Sequence, residues 1–171
     1  MNKKHILTVM LAALLLGLAS CKETPNTTSQ KIDALKTQVS NDAKAVKELG
    51  NKQFADLHND FMVCDSMLQY LKDEQIDACF DILNLTQAYL EQFELVKPVM
   101  LSKMDYISTQ LDNLKADLAS QFVSDSLALV YLNDESRVAD TLHQQLLYFE
   151  DRFGKCQQDI NNLKNSWKQI Q

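Results

Sequence analysis

Beyond residue 20, few side chains in this sequence have types that could do chemistry. They are the thiols of Cys21, Cys64, Cys79 and Cys156, the imidazoles of His58 and His143, the thioethers of Met62, Met67, Met100 and Met104, and many carboxylates. Cys64, Cys79 and Cys156 read as reduced, buried thiols acting as small apolar residues, or, in an oxidising compartment, Cys64 and Cys79 pair as the candidate disulfide with Cys156 left over. No Cys-x-x-Cys occurs, so neither dithiol redox catalysis nor a structural zinc site is supported. A carboxylate-bridged di-iron bundle needs Glu-x-x-His twice. Here position 55 is Ala, and the nearest approach is Asp140-x-x-His143, so no metal site is assigned. Haem held by His58 and one of the four methionines is the remaining cofactor reading. Methionines at helical spacing usually fill cores, however, and no cofactor is assigned. Nucleophile–base frames and Gly-rich phosphate loops are missing, so no catalytic residue and no enzymatic activity are assigned.

The elements that must position these groups read as helices throughout. Only three glycines and two prolines occur, and no alternating strand pattern is bounded by turn clusters. From Ile32 the apolar residues fall on one helical face as far as Leu71, and the phase survives Gly50-Asn51. The spacing therefore predicts one helix over 31–72, weakened or bent at Gly50. A second stripe from Ile76 to Phe122 keeps its register across Pro98 and predicts a kinked helix over 74–122. Residues 123–133 are less regular. A third stripe, Leu142 to Ile170, alternates spacings of four and three as a coiled-coil seam does, and predicts a helix from about Asp134 onward. Helices of about 42, 49 and 37 residues joined by short turns give an all-α fold, an elongated antiparallel bundle about 60 Å long. If Gly50 and Pro98 are turns instead, the bundle is shorter and has four or more helices. Gly50, Pro98 and Gly154 fall at nearly the same height in the three-helix arrangement.

The N-terminus has its own logic. Asn2-Lys3-Lys4 precedes an apolar run from Ile6 to Ala19, too short to span a membrane as a helix and built as an export signal. Leu18-Ala19-Ser20-Cys21 resembles the lipobox of bacterial lipoproteins. That resemblance implies removal of residues 1–20, diacylation of the Cys21 sulfur and acylation of its new amino group. It places the protein in a bacterial envelope, held to the membrane through Cys21. Lys22 stands where Asp would mark inner-membrane retention in that family, which favours the outer membrane, on its periplasmic or surface face. Residues 21–30 read as a lipidated cysteine and polar tether, leaving 31–171 as one bundle domain. Leu57-His58-Asn59-Asp60-Phe61-Met62 is similar to a segment of small helical-bundle lipoproteins labelled "viral A-type inclusion protein", a likeness that implies a fold and no activity.

Charge is unevenly placed. The chain carries 17 Lys+Arg against 23 Asp+Glu, a formal net charge of −6, which excludes a nucleic-acid binder in need of a basic face. Residues 22–52 hold six lysines and four acids, whereas 53–96 hold nine acids and only Lys72. The second block forms one end of the bundle, a solvated tip or a docking surface for a basic partner. At the opposite end Leu127, Leu129, Val130, Tyr131 and Leu132 form an apolar run too wide for a narrow core. That run either caps the bundle or contacts the membrane or a partner near the lipid. The function expected is that of a lipid-anchored structural or protein-interaction bundle. The alternative is a bundle binding haem, a metal or an apolar ligand.

Overall fold

The computed structural model describes residues 27–70 and 73–168. The export signal, Cys21 and most of the tether lie outside the described residues. Helix α1 runs Thr28–Glu48 and passes through a π-helical turn, Leu49–Gln53, into α2, Phe54–Met67, which ends in a 3-10 turn at Leu68–Tyr70. Helix α3 covers Asp73–Ala119 and α4 covers Asp125–Lys168. The α1–α2 rod, α3 and α4 pack as an up-down-up bundle of three long helices, as the spacing predicts. Asp33 pairs with Lys115 and Lys36 with Asp112, so α1 and α3 are antiparallel; Asp42 meets His143 and Asp60 meets Lys164, so the α1–α2 rod and α4 are parallel.

One repeat builds the core. In α3 the buried positions are Cys79, Leu83, Thr86, Leu90, Phe93, Met100, Met104, Ile107, Leu111 and Leu114, a seven-residue repeat that passes Pro98 unchanged. Pro98 removes one backbone donor from the helix ladder, yet the same face stays inward on both sides. In α4 the row is Ala128, Leu132, Ala139, Leu142, Leu146, Phe149, Phe153, Cys156, Ile160 and Trp167. In α1 it is Ile32, Leu35, Val39, Asp42, Val46 and Leu49. The next residues inward are Phe54, Leu57, Phe61 and Cys64, each one place later than the repeat requires. The repeat therefore does not pass Gly50-Asn51 unshifted as the spacing suggests: one residue too many has entered the row. The wider π-helical turn absorbs it, since each extra residue would otherwise rotate the face by about 100°. Gly50 sits in that turn, and a Cβ there would meet the Lys97 side chain.

The middle of the bundle is aromatic. Phe93 lies 5.1 Å from both Phe149 and Phe153, and Phe54 closes the group at 5.9 Å from Phe93 and 6.1 Å from Phe153. Edge-to-face packing of this kind adds about 0.5–1.5 kcal/mol per pair beyond area burial. The cluster also fixes the heights of the breakers. Gly50 lies against Lys97, and Phe153 precedes Gly154, so the three breakers do stand close to one level.

Three boundaries differ from the sequence expectation, one being the end of α3 at Ala119 rather than 122. Helix α1 starts three residues early because Thr27 and Gln30 form a reciprocal cap. The Gln30 N–H donates to Thr27 Oγ1 at 3.3 Å, and the Thr27 N–H donates to Gln30 Oε1 at 2.9 Å. Helix α4 starts at Asp125 rather than near Asp134. Ser124 caps it, its Oγ accepting from the Leu127 N–H at 3.4 Å, and Asp125 complements the helix dipole. The apolar run 127–132 is therefore helical and forms the first turns of α4.

The α3–α4 connection closes on a Schellman turn. The Phe122 N–H donates to Asp117 O at 2.9 Å and the Gln121 N–H to Leu118 O at 3.2 Å. Gln121 takes the left-handed position with φ 59°, which glycine fills without a Cβ penalty. Gln121→Gly should thus stabilise the fold by about 1 kcal/mol, raising the melting temperature by about 2–4 °C in a thermal scan. An unchanged or lowered melting temperature would count against strain at this turn.

Candidate functional site

A cleft of about 790 Å³ lies between α2 and α4. Gln53, Asp56, Asn59 and Asp60 form one wall, and Gln157, Gln158, Asn161 and Asn162 form the other. Phe153 and Gly154 complete the lining. The inserted residue explains the first wall. Had the repeat run on from Leu49 without interruption, positions 53, 56 and 60 would have been inward. The π-helical turn rotates them out of the core and leaves a polar row facing α4.

Asp60 holds the walls together. Its Oδ2 accepts from Gln157 Nε2 and its Oδ1 from Lys164 Nζ, each at 2.7 Å. The Lys164 hydrogen bond lowers the Asp60 pKa; burial opposes this, while Gln157 and the Lys164 charge reinforce it. The exposed residues Gln53, Asn59, Gln158, Asn161 and Asn162 also line the cleft, and their side-chain amides make no hydrogen bond to another described side chain.

The residues singled out from the sequence do not gather here. Cys64 on α2 and Cys79 on α3 are neighbours at the far end of the bundle, and both are buried free thiols. Burial pushes the Cys64 thiol up to about 11; the Lys164 charge lowers it, while Asp60 and Cys79 raise it further. Burial also raises Cys79 and Cys156. Cys156 is a free thiol in another neighbourhood, beside Thr86. His143 is occupied by Asp42, with Nδ1 and Oδ1 3.0 Å apart, and His58 stacks on Phe54 at 6.1 Å. Met100 and Met104 are core residues, whereas Met62 is exposed. No group of three or more His, Cys, Asp or Glu side chains among the described residues is arranged to hold a metal ion.

In the run near the tether, Ala128 and Leu132 face the core, Leu129 packs against it, and Leu127, Val130 and Tyr131 are exposed. Tyr131 also lines a 410 Å³ pocket with Phe122 and Glu135. Burial, then the Asp134 charge, raises the Glu135 carboxyl. Elsewhere on the α3–α4 face the Arg152 guanidinium lies 5.6 Å from the Tyr89 ring and 5.2 Å from that of Tyr148, a cation–π arrangement. The cleft was not visible in the sequence. The only available signal was Gly154, a helix-interior glycine with no turn to make.

The Asp60 contact carries a pH signature. A carboxylate whose pKa is lower folded than unfolded contributes stability above its unfolded value, and loses it as pH falls through the folded one. Asp60→Asn should therefore cost about 1 kcal/mol at neutral pH and little once the pH is well below the ordinary carboxylate range. Chemical denaturation of both proteins across pH checks this; an equal deficit at acid pH would contradict it.

Comparison with protein-family models, with curated proteins and with solved structures finds no match.

Proposed function

We propose that the protein is a bacterial envelope lipoprotein, held by acyl chains on Cys21 to the outer membrane, whose bundle serves as a structural or protein-interaction element without catalytic activity. The lipobox resemblance of residues 18–21 supports the anchor. The observation that carries the interaction reading is the composition of the end opposite Thr27. There Met62, Val63, Phe80 and Leu85 are exposed, as are Asp65, Asp77 and Asp81. Apolar contact area ringed by one sign of charge suits a basic protein partner, with the charges steering approach and the apolar groups supplying affinity. Leu127, Val130 and Tyr131, at the tethered end, are suited to contact lipid or a second partner close to the membrane.

Crosslinking in intact cells, followed by mass spectrometry, tests the docking surface. A basic protein should be captured by the wild type and lost when Asp65→Lys and Asp77→Lys are combined. Capture indifferent to that charge reversal would sink the reading. The anchor has its own test. Cys21→Ala should leave the precursor unprocessed or release protein from the membrane fraction, and the mature wild type should carry the mass of acyl chains. A mature chain without lipid would end this part of the proposal.

An oxidising envelope also makes Cys64–Cys79 the disulfide to seek. Non-reducing peptide mapping should find that pair and leave Cys156 alkylatable after unfolding. The bond would be worth roughly 3 kcal/mol in the chain-entropy model. A disulfide containing Cys156 would contradict the pairing.

A further inference from the structure

We propose that the α2–α4 cleft is a binding site for a neutral saccharide, a role that goes beyond the anchored interaction bundle. Its volume, about 790 Å³, lies within the range of small-ligand sites. Its chemistry then decides the ligand class. Asn59, Gln158, Asn161 and Asn162 each present a donor and an acceptor, and a sugar hydroxyl both gives and takes hydrogen bonds. An anion finds no free cation here, because Lys164 is engaged by Asp60, and Asp56 would repel it. An apolar ligand would strip water from the amides without replacing their hydrogen bonds. A polyhydroxylated uncharged ligand satisfies both walls.

Gly154 is the independent observation. A glycine inside a helix costs about 1 kcal/mol relative to alanine. Nothing in the packing asks for one here, since a Cβ at position 154 would meet no atom within 4 Å. The space it would enter is the cleft. A side chain at this point would meet nothing in the fold and would project into the site. The glycine is thus accounted for by the cleft and not by the bundle.

The test uses the full chain in detergent micelles, titrated calorimetrically with neutral oligosaccharides built on glucose, galactose, mannose and N-acetylglucosamine. At least one series should bind at millimolar concentration or below. Gly154→Leu should weaken it at least about tenfold with no loss of melting temperature. Asn161→Leu, at an exposed wall position, should weaken it in the same way. The proposal is overturned if no sugar in the panel binds the wild type, or if binding survives both substitutions. It is also overturned if polar peptides occupy the cleft, sensitive to Gly154→Leu, while sugars do not.

Discussion

Everything in this molecule depends on keeping one apolar row per helix turned inward over the whole length of the bundle. Three rows of seven-residue repeat meet along a common axis, and each must stay in phase with two others. Two of them do so without interruption, even across Pro98. The first carries one residue too many, and the π-helical turn at Leu49–Gln53 takes up the excess. Because packing tolerates a locally poorer hydrogen-bond ladder better than a misplaced core, the ladder yields. The cleft follows from the same step, since the row displaced by the turn becomes its wall.

Polar contacts between helices do a different job from the apolar rows. Asp42 is buried in the α1 row and is matched by His143 from α4. Removing one partner of such a pair would leave an uncompensated group, so the pair restricts which layers can face each other. The exposed pairs Lys36–Asp112 and Asp33–Lys115 each contribute at most about 1 kcal/mol. They too restrict the sliding of α1 along α3, because both pairs are satisfied together only in this register.

The three-helix architecture was legible because the rows are long and strongly periodic. What escaped reading was local chemistry that leaves little mark on periodicity. Residues 27–30 read as tether because Thr27 and Gln30 look merely polar until the cap between them is seen. Residues 125–133 read as irregular because Leu127, Val130 and Tyr131, exposed on the outer face, hide the inward spacing of Ala128 and Leu132. The shared height of Gly50, Pro98 and Gly154 could be counted from the turns. That one of these glycines answers to Lys97 and another to open space could not, since both depend on neighbours distant in sequence. The closeness of Cys64 and Cys79 followed from the position of the turn between their helices. The bonded state of their sulfurs depends on the surroundings of the chain.

A bundle of three helices can be wound in two senses, with the third helix to the left or the right of the first two, and the apolar rows barely distinguish them. The flanks of the α1–α2 rod do. Asp33 and Lys36 look toward α3, while Asp60 looks toward α4 and meets Lys164. In the mirror arrangement the two flanks would exchange neighbours. Asp33 and Lys36 would lose their partners, and Asp60 would be turned from Gln157 and Lys164. Each loss is small, but all fall on the same side of the balance. Weak surface charges thereby select the hand of a fold whose mass is held by the core.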